Sequence, residues 1–86
     1  MSRRNTDIGG DLNIVKNSIR YYRELNHYSY QQLSNLLMLH GIDINKQEIY
    51  KIEKGIRTIV DYELCGFIKV FNISFNDLTK DFYNKI

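Results

Sequence analysis

The sequence has one cysteine, no proline, no internal repeat and no low-complexity stretch. It also has no apolar run near the roughly 18 residues that a membrane span needs. A lone thiol, Cys65, excludes an internal disulfide framework and fits a reducing compartment. The opening MSRRNTDIGG lacks the apolar centre of a secretory signal, so a cytoplasmic location and no membrane partner are expected. Net charge is small too. Twelve Lys and Arg against ten Asp and Glu leave a net +2, too little for an indiscriminate nucleic-acid binder. The 86 residues read as one domain with a small core, because a chain of this size buries only about 60–65% of its unfolded surface.

What is present points to a folded, helical chain. At 43% apolar and 26% charged residues the composition is globular rather than disordered. The charge is unevenly spread: residues 1–57 hold nine Lys or Arg against six acids, whereas residues 58–86 hold three against four. An anionic partner would therefore be met by the first two thirds. Residues 1–10, with Arg3, Arg4 and the Gly9-Gly10 pair, read as a flexible arm ahead of a domain at 11–86.

Helix signals then recur. Asp11 can cap a first helix whose apolar face is Leu12, Val15, Ile19 and Tyr22. Ser29 with Gln32 forms a capping box for a second helix, with Leu33, Leu36 and Leu37 inward and an end at His40-Gly41. Asn45 with Glu48 opens a third that buries Ile49 and Ile52 and closes at Gly55. A fourth covers about Asp61 to Phe71, with Leu64, Phe67, Ile68 and Phe71 on its apolar side and Asn72 as its stop. Ser74 with Asp77 begins a fifth, with Leu78 and Phe82 inward. Two-residue alternation appears only in GIDIN, too short for a strand. The expected fold is all-α, a compact bundle of five short helices.

The third helix carries the functional signal. On a 100°-per-residue wheel, Lys46, Gln47, Tyr50, Lys51 and Lys54 spread opposite the Ile49 and Ile52 stripe. Glutamine can bond bidentately to adenine and lysine can donate to guanine. Tyr50 can stack, pack on a sugar or touch a thymine methyl. A helix N-terminus favours phosphate, although Glu48 in the same turn opposes it unless its carboxylate is held by the capping bond to Asn45.

From about Leu12 to Leu78 the chain resembles the Cro/C1-type helix-turn-helix family of phage-repressor-like DNA-binding proteins. The matching segments are IRYYRE, SYQQLSNLL, NKQEIYKIEKGIR and VDYELCGFIKVFNIS followed by NDL, and the strongest element is Ile52 to Gly55 combined with Arg23. The resemblance implies a lambda-repressor-like DNA-binding domain whose third helix enters the major groove. It implies base reading by Lys46, Gln47 and Lys51, with Tyr50 a further participant, and a structural ion pair between Arg23 and Glu53. It also implies phosphate contacts by Ser29, Tyr30, Lys54, Arg57 and Thr58, which position the protein without reading sequence. Ser34 stands where the family prefers a small residue at a close helix crossing. Two features depart from the pattern. The link between the second and third helices is longer than the family's short form, so MLHGIDI must extend the helix, lengthen the turn, or both. His27 stands where glycine commonly ends the first helix; it tolerates positive φ at some cost.

The implied function is a sequence-specific, double-stranded DNA-binding transcriptional regulator of repressor type, acting as a homodimer on an inverted-repeat operator. Phe75, Phe82 and Tyr83 are candidate dimer residues, with core packing as the competing explanation. The rival reading is a protein-interaction or antitoxin-like module that keeps the helix-turn-helix fold. Arg3 and Arg4 read as a solubilising tail or as an arm for a minor groove. Among the seven tyrosines, Tyr22 and Tyr62 fit core or boundary positions better than a single-strand stacking platform. His27, His40 and Cys65 lack metal-ligand spacing, and Cys65 is expected as a buried or half-buried filler. There is no P-loop, nucleophile elbow or His–carboxylate motif, and Asp43 and Asp61 read as turn and cap residues, so neither an enzyme nor a cofactor is expected.

Overall fold

Four of the helices end in the same way, and these ends set the path of the chain. The computed structural model describes residues 13–85, with side chains as far as Lys80. The described residues form five helices and no strand: α1 (Lys16–Leu25), α2 (Tyr30–Leu39), α3 (Lys46–Glu53), α4 (Asp61–Phe71) and α5 (Phe75–Lys85). Helices α1 to α4 each run into a left-handed residue: His27 (φ 59°), Gly41 (φ 78°), Gly55 (φ 75°) and Asn72 (φ 56°). The residue after each turns its N–H back to a carbonyl of the last helical turn. The bonds are Tyr28 to Arg23, Ile42 to Leu37, Ile56 to Lys51 and Ile73 to Ile68. Carbonyls that would be orphaned are thereby satisfied, and the chain turns sharply.

The starts are capped by side chains. Ser29 with Gln32, Asn45 with Glu48 and Ser74 with Asp77 each bond reciprocally, as their spacing predicts. At α4, valine has no side-chain acceptor, so only half the box forms: the Val60 N–H donates to Glu63 Oε1. Asp61 lies inside the helix and accepts from the Tyr62 N–H.

Helix α1 departs from expectation. It opens at Lys16 with Val15 at the cap position and no side-chain cap bond. Asp11, Leu12 and the arm at 1–10 lie outside the described residues. The reason for the late start is Asn13, whose Oδ1 accepts from the Val15 N–H while its Nδ2 donates to the Ile52 and Arg57 carbonyls, each at 3.0 Å. The start of α1 is thus pinned to the end of α3.

All five helices feed one core: Val15, Ile19, Leu33, Leu37, Ile49, Ile52, Phe67, Phe71 and Leu78, with Ile42 and Ile44 from the α2–α3 connection. Helix α1 packs against α3, α4 and α5, and α2 against α3 and α4. The long connection is resolved in both expected ways. Helix α2 runs on to Leu39, and residues 40–45 then form an extended turn with Ile42 and Ile44 buried and Asp43 exposed. The buried Ser34 Oγ donates to the Ile44 carbonyl at 2.7 Å. A Cβ at Gly66 would come within 2.6 Å of Ile42 Cγ1, so glycine lets the turn seat on α4. Three expectations fail. Leu36 is only half-buried, Cys65 is exposed, and Tyr62 is 59% exposed. The buried stripe of α4 runs through Glu63, Gly66, Phe67 and Phe71 and leaves Tyr62 and Cys65 on the outer side. Tyr22 does lie at the boundary, half-buried beside Phe71.

Candidate nucleic-acid interface

Helix α3 has eight residues, too few to be stable alone in water, so its neighbours hold it. Ile49 and Ile52 are fully buried beneath it. Lys46, Gln47, Tyr50, Lys51 and Lys54 are all exposed on the other side. Neither Lys46, Gln47 nor Lys51 has a side-chain bond to another described residue. Lys54 Nζ lies 5.4 Å from the Tyr50 ring centroid. The face is therefore basic, polar and free to meet a partner.

Glu48 shares the first turn of α3, and its charge is locally answered. One carboxylate oxygen accepts from the Asn45 N–H at 2.9 Å, and the other lies 3.6 Å from Arg57 Nη2. An approaching anion meets this acid already paired.

Behind α3 lies a charged cluster that fixes its angle. Arg23 Nε and Nη2 donate to the two Glu53 carboxylate oxygens at 2.6 and 3.2 Å, and Nη1 donates to the Tyr28 carbonyl. The Tyr30 hydroxyl donates to Glu53 Oε1 at 3.1 Å, and the Arg23 guanidinium sits 4.2 Å over the Tyr30 ring. The bond to Glu53 raises the Arg23 pKa above its ordinary value despite partial burial. Burial first, and the Glu53 charge second, raise the Tyr30 phenol. Both groups stay protonated throughout the physiological range.

A second cluster joins the segment after α3 to α4. Arg57 Nη1 and Nη2 donate to the two oxygens of Glu63 at 3.0 and 2.9 Å, and Nη1 also donates to the Thr58 carbonyl. The Glu63 bond raises the Arg57 pKa. The Arg57 bond lowers the Glu63 pKa, and the Val60 N–H lowers it further.

Two residues expected at phosphates have partners within the fold. The Tyr30 hydroxyl donates to Glu53, and Arg57 Nη1 and Nη2 donate to Glu63. Ser29, Lys54 and Thr58 are exposed. The sequence reading missed Asn13 and Glu63. Glu63 carried a signal, an acid at the box position three residues after Val60; Asn13 carried none.

Of the candidate dimer residues, Phe75 is 52% exposed and borders a groove with Ile14, Ile59 and Leu64. The side chains of Phe82 and Tyr83 lie outside the described residues. Among the described residues no three His, Cys, Asp or Glu side chains gather where they could hold a metal ion, and no helix is long and apolar enough to cross a membrane. No protein-family model matches the chain, and neither a curated protein nor a solved structure matches it.

Proposed function

We propose that the chain is a sequence-specific, double-stranded DNA-binding transcriptional regulator of repressor type that lays α3 in the major groove. The observation that carries this reading is the open face of α3, where Lys46, Gln47, Tyr50 and Lys51 project away from a fully buried Ile49 and Ile52. Lysine and glutamine are the groups that recognise guanine and adenine edges there. Ser29, Lys54 and Thr58 are assigned to the phosphate backbone, where contacts set register rather than sequence. In this reading α2, α3 and the turn between them form a helix-turn-helix with a lengthened turn.

One such unit covers one half-site. A second copy completes an operator of two half-sites about 34–36 Å apart, and the Ile14, Ile59, Leu64 and Phe75 groove is the proposed place for the copies to meet. That exposed apolar groove also supports the rival reading, a protein-interaction or antitoxin-like module.

Salt separates the two. On duplex DNA the logarithm of the affinity is expected to fall linearly with the logarithm of salt, with a slope of about −0.9 per phosphate neutralised. Fluorescence anisotropy from low to near-physiological salt measures it. A partner held by the apolar groove keeps its affinity over the same range.

A further inference from the structure

Among the described residues the exposed face of α3 carries one aromatic ring, Tyr50, set amid Lys46, Gln47, Lys51 and Lys54. The ring is held on two sides. Tyr30 meets it edge to face, with centroids 6.0 Å apart and planes at 82°, and Lys54 Nζ lies near it at 5.4 Å. Tyr30 in turn is fixed by its hydrogen bond to Glu53 and by the Arg23 guanidinium over its ring. Through one neighbour, Tyr50 is anchored to the buried pair behind the helix. A side chain already held in place gives up little freedom on binding, so even a small contact is kept as affinity.

The chemistry of the groove selects what this ring can meet. Base edges there present donors and acceptors, and their one apolar group is the 5-methyl of thymine. Tyr50 lies one helical turn from both Lys46 and Gln47, so its base adjoins those that they contact. Tyr50 is 46% exposed, enough for its ring to cover a methyl while Tyr30 packs against it.

We propose that Tyr50 reads a thymine through its 5-methyl group, and that Tyr30 is the positioning residue that holds the ring for it. The inference rests on the DNA-binding reading and adds to it one base and one chemical group.

The test uses the full chain and a duplex recovered by selection from random DNA, in which each thymine in turn is replaced by deoxyuracil. That exchange removes the methyl and leaves every hydrogen-bonding edge intact. At one thymine per half-site the affinity is expected to fall about fourfold, the worth of one buried carbon. Tyr50→Phe keeps that loss, because the ring remains. Tyr50→Ala abolishes it, and Tyr30→Ala weakens it while backbone binding persists, with circular dichroism confirming that each variant is folded. Equal affinity at every deoxyuracil, a selected motif without thymine, or an undiminished methyl effect in Tyr50→Ala overturns the inference and leaves the DNA-binding reading standing. Absence of any duplex binding by the native chain removes both.

Discussion

Glu53 shows how a single residue joins stability to the proposed site. Its side chain is 2% exposed, and Arg23 and Tyr30 together bond both of its oxygens. A buried charge of this kind is tolerated because it is paired, and removing one partner leaves the other uncompensated. Glu53→Ala is therefore expected to lower the unfolding free energy by about 3 kcal/mol, read from chemical denaturation. Glu63 gives a pH signature. Its folded pKa lies below the ordinary glutamate value of 4.5, so its contribution is complete above that value and is lost as pH falls through the lowered one. Glu63→Gln is expected to flatten this part of the acid limb in denaturation curves measured between about pH 6 and pH 2. The Arg23–Glu53 pairing was legible because the family resemblance marks both residues. The bonds of Tyr30 to Glu53 and of Arg57 to Glu63 were not, since each depends on a partner brought close by the fold, 23 and 6 residues away.

At the scale of the elements, the sequence carried most of the helix boundaries, because caps are local chemistry. Ser29, Asn45 and Ser74 each find their partner three residues on, and Gly41, Gly55 and Asn72 each supply the left-handed turn. His27 does the same job at φ 59° with a side chain that glycine lacks. His27→Gly is therefore expected to raise stability by about 0.5–1 kcal/mol, as relief of the left-handed strain outweighs the freedom glycine adds to the unfolded chain. Thermal unfolding measures it. The start of α1 was misread for a non-local reason: Asn13 is drawn to carbonyls 39 and 44 residues away, which no helical periodicity records. Tyr62 and Cys65 were misplaced because α4 buries Glu63 and Gly66, a polar residue and a small one that apolar periodicity does not mark.

The described residues present two distinct surfaces. The face of α3 is basic and polar; the Arg23–Glu53 pair ties the last residue of the helix to α1, and the Arg57–Glu63 pair ties the segment that follows it to α4. Around Ile14, Ile59, Leu64 and Phe75 the surface is apolar, and this is where a second copy is proposed to dock. The basic face was legible from the spacing of Lys46, Gln47, Lys51 and Lys54 alone. The groove was not, because Ile14, Leu64 and Phe75 come from three separate parts of the chain and meet only in the fold. A modest net charge of +2 suits this division, with attraction concentrated on one face rather than spread over the molecule. Selection of bound duplexes from a random DNA library at near-physiological salt, followed by sequencing, decides whether the chain reads DNA. Enrichment of an inverted repeat with half-site centres about 10 bp apart is expected, lost when Lys46, Gln47 and Lys51 are together replaced by alanine. A folded protein that enriches no sequence contradicts the DNA-binding reading.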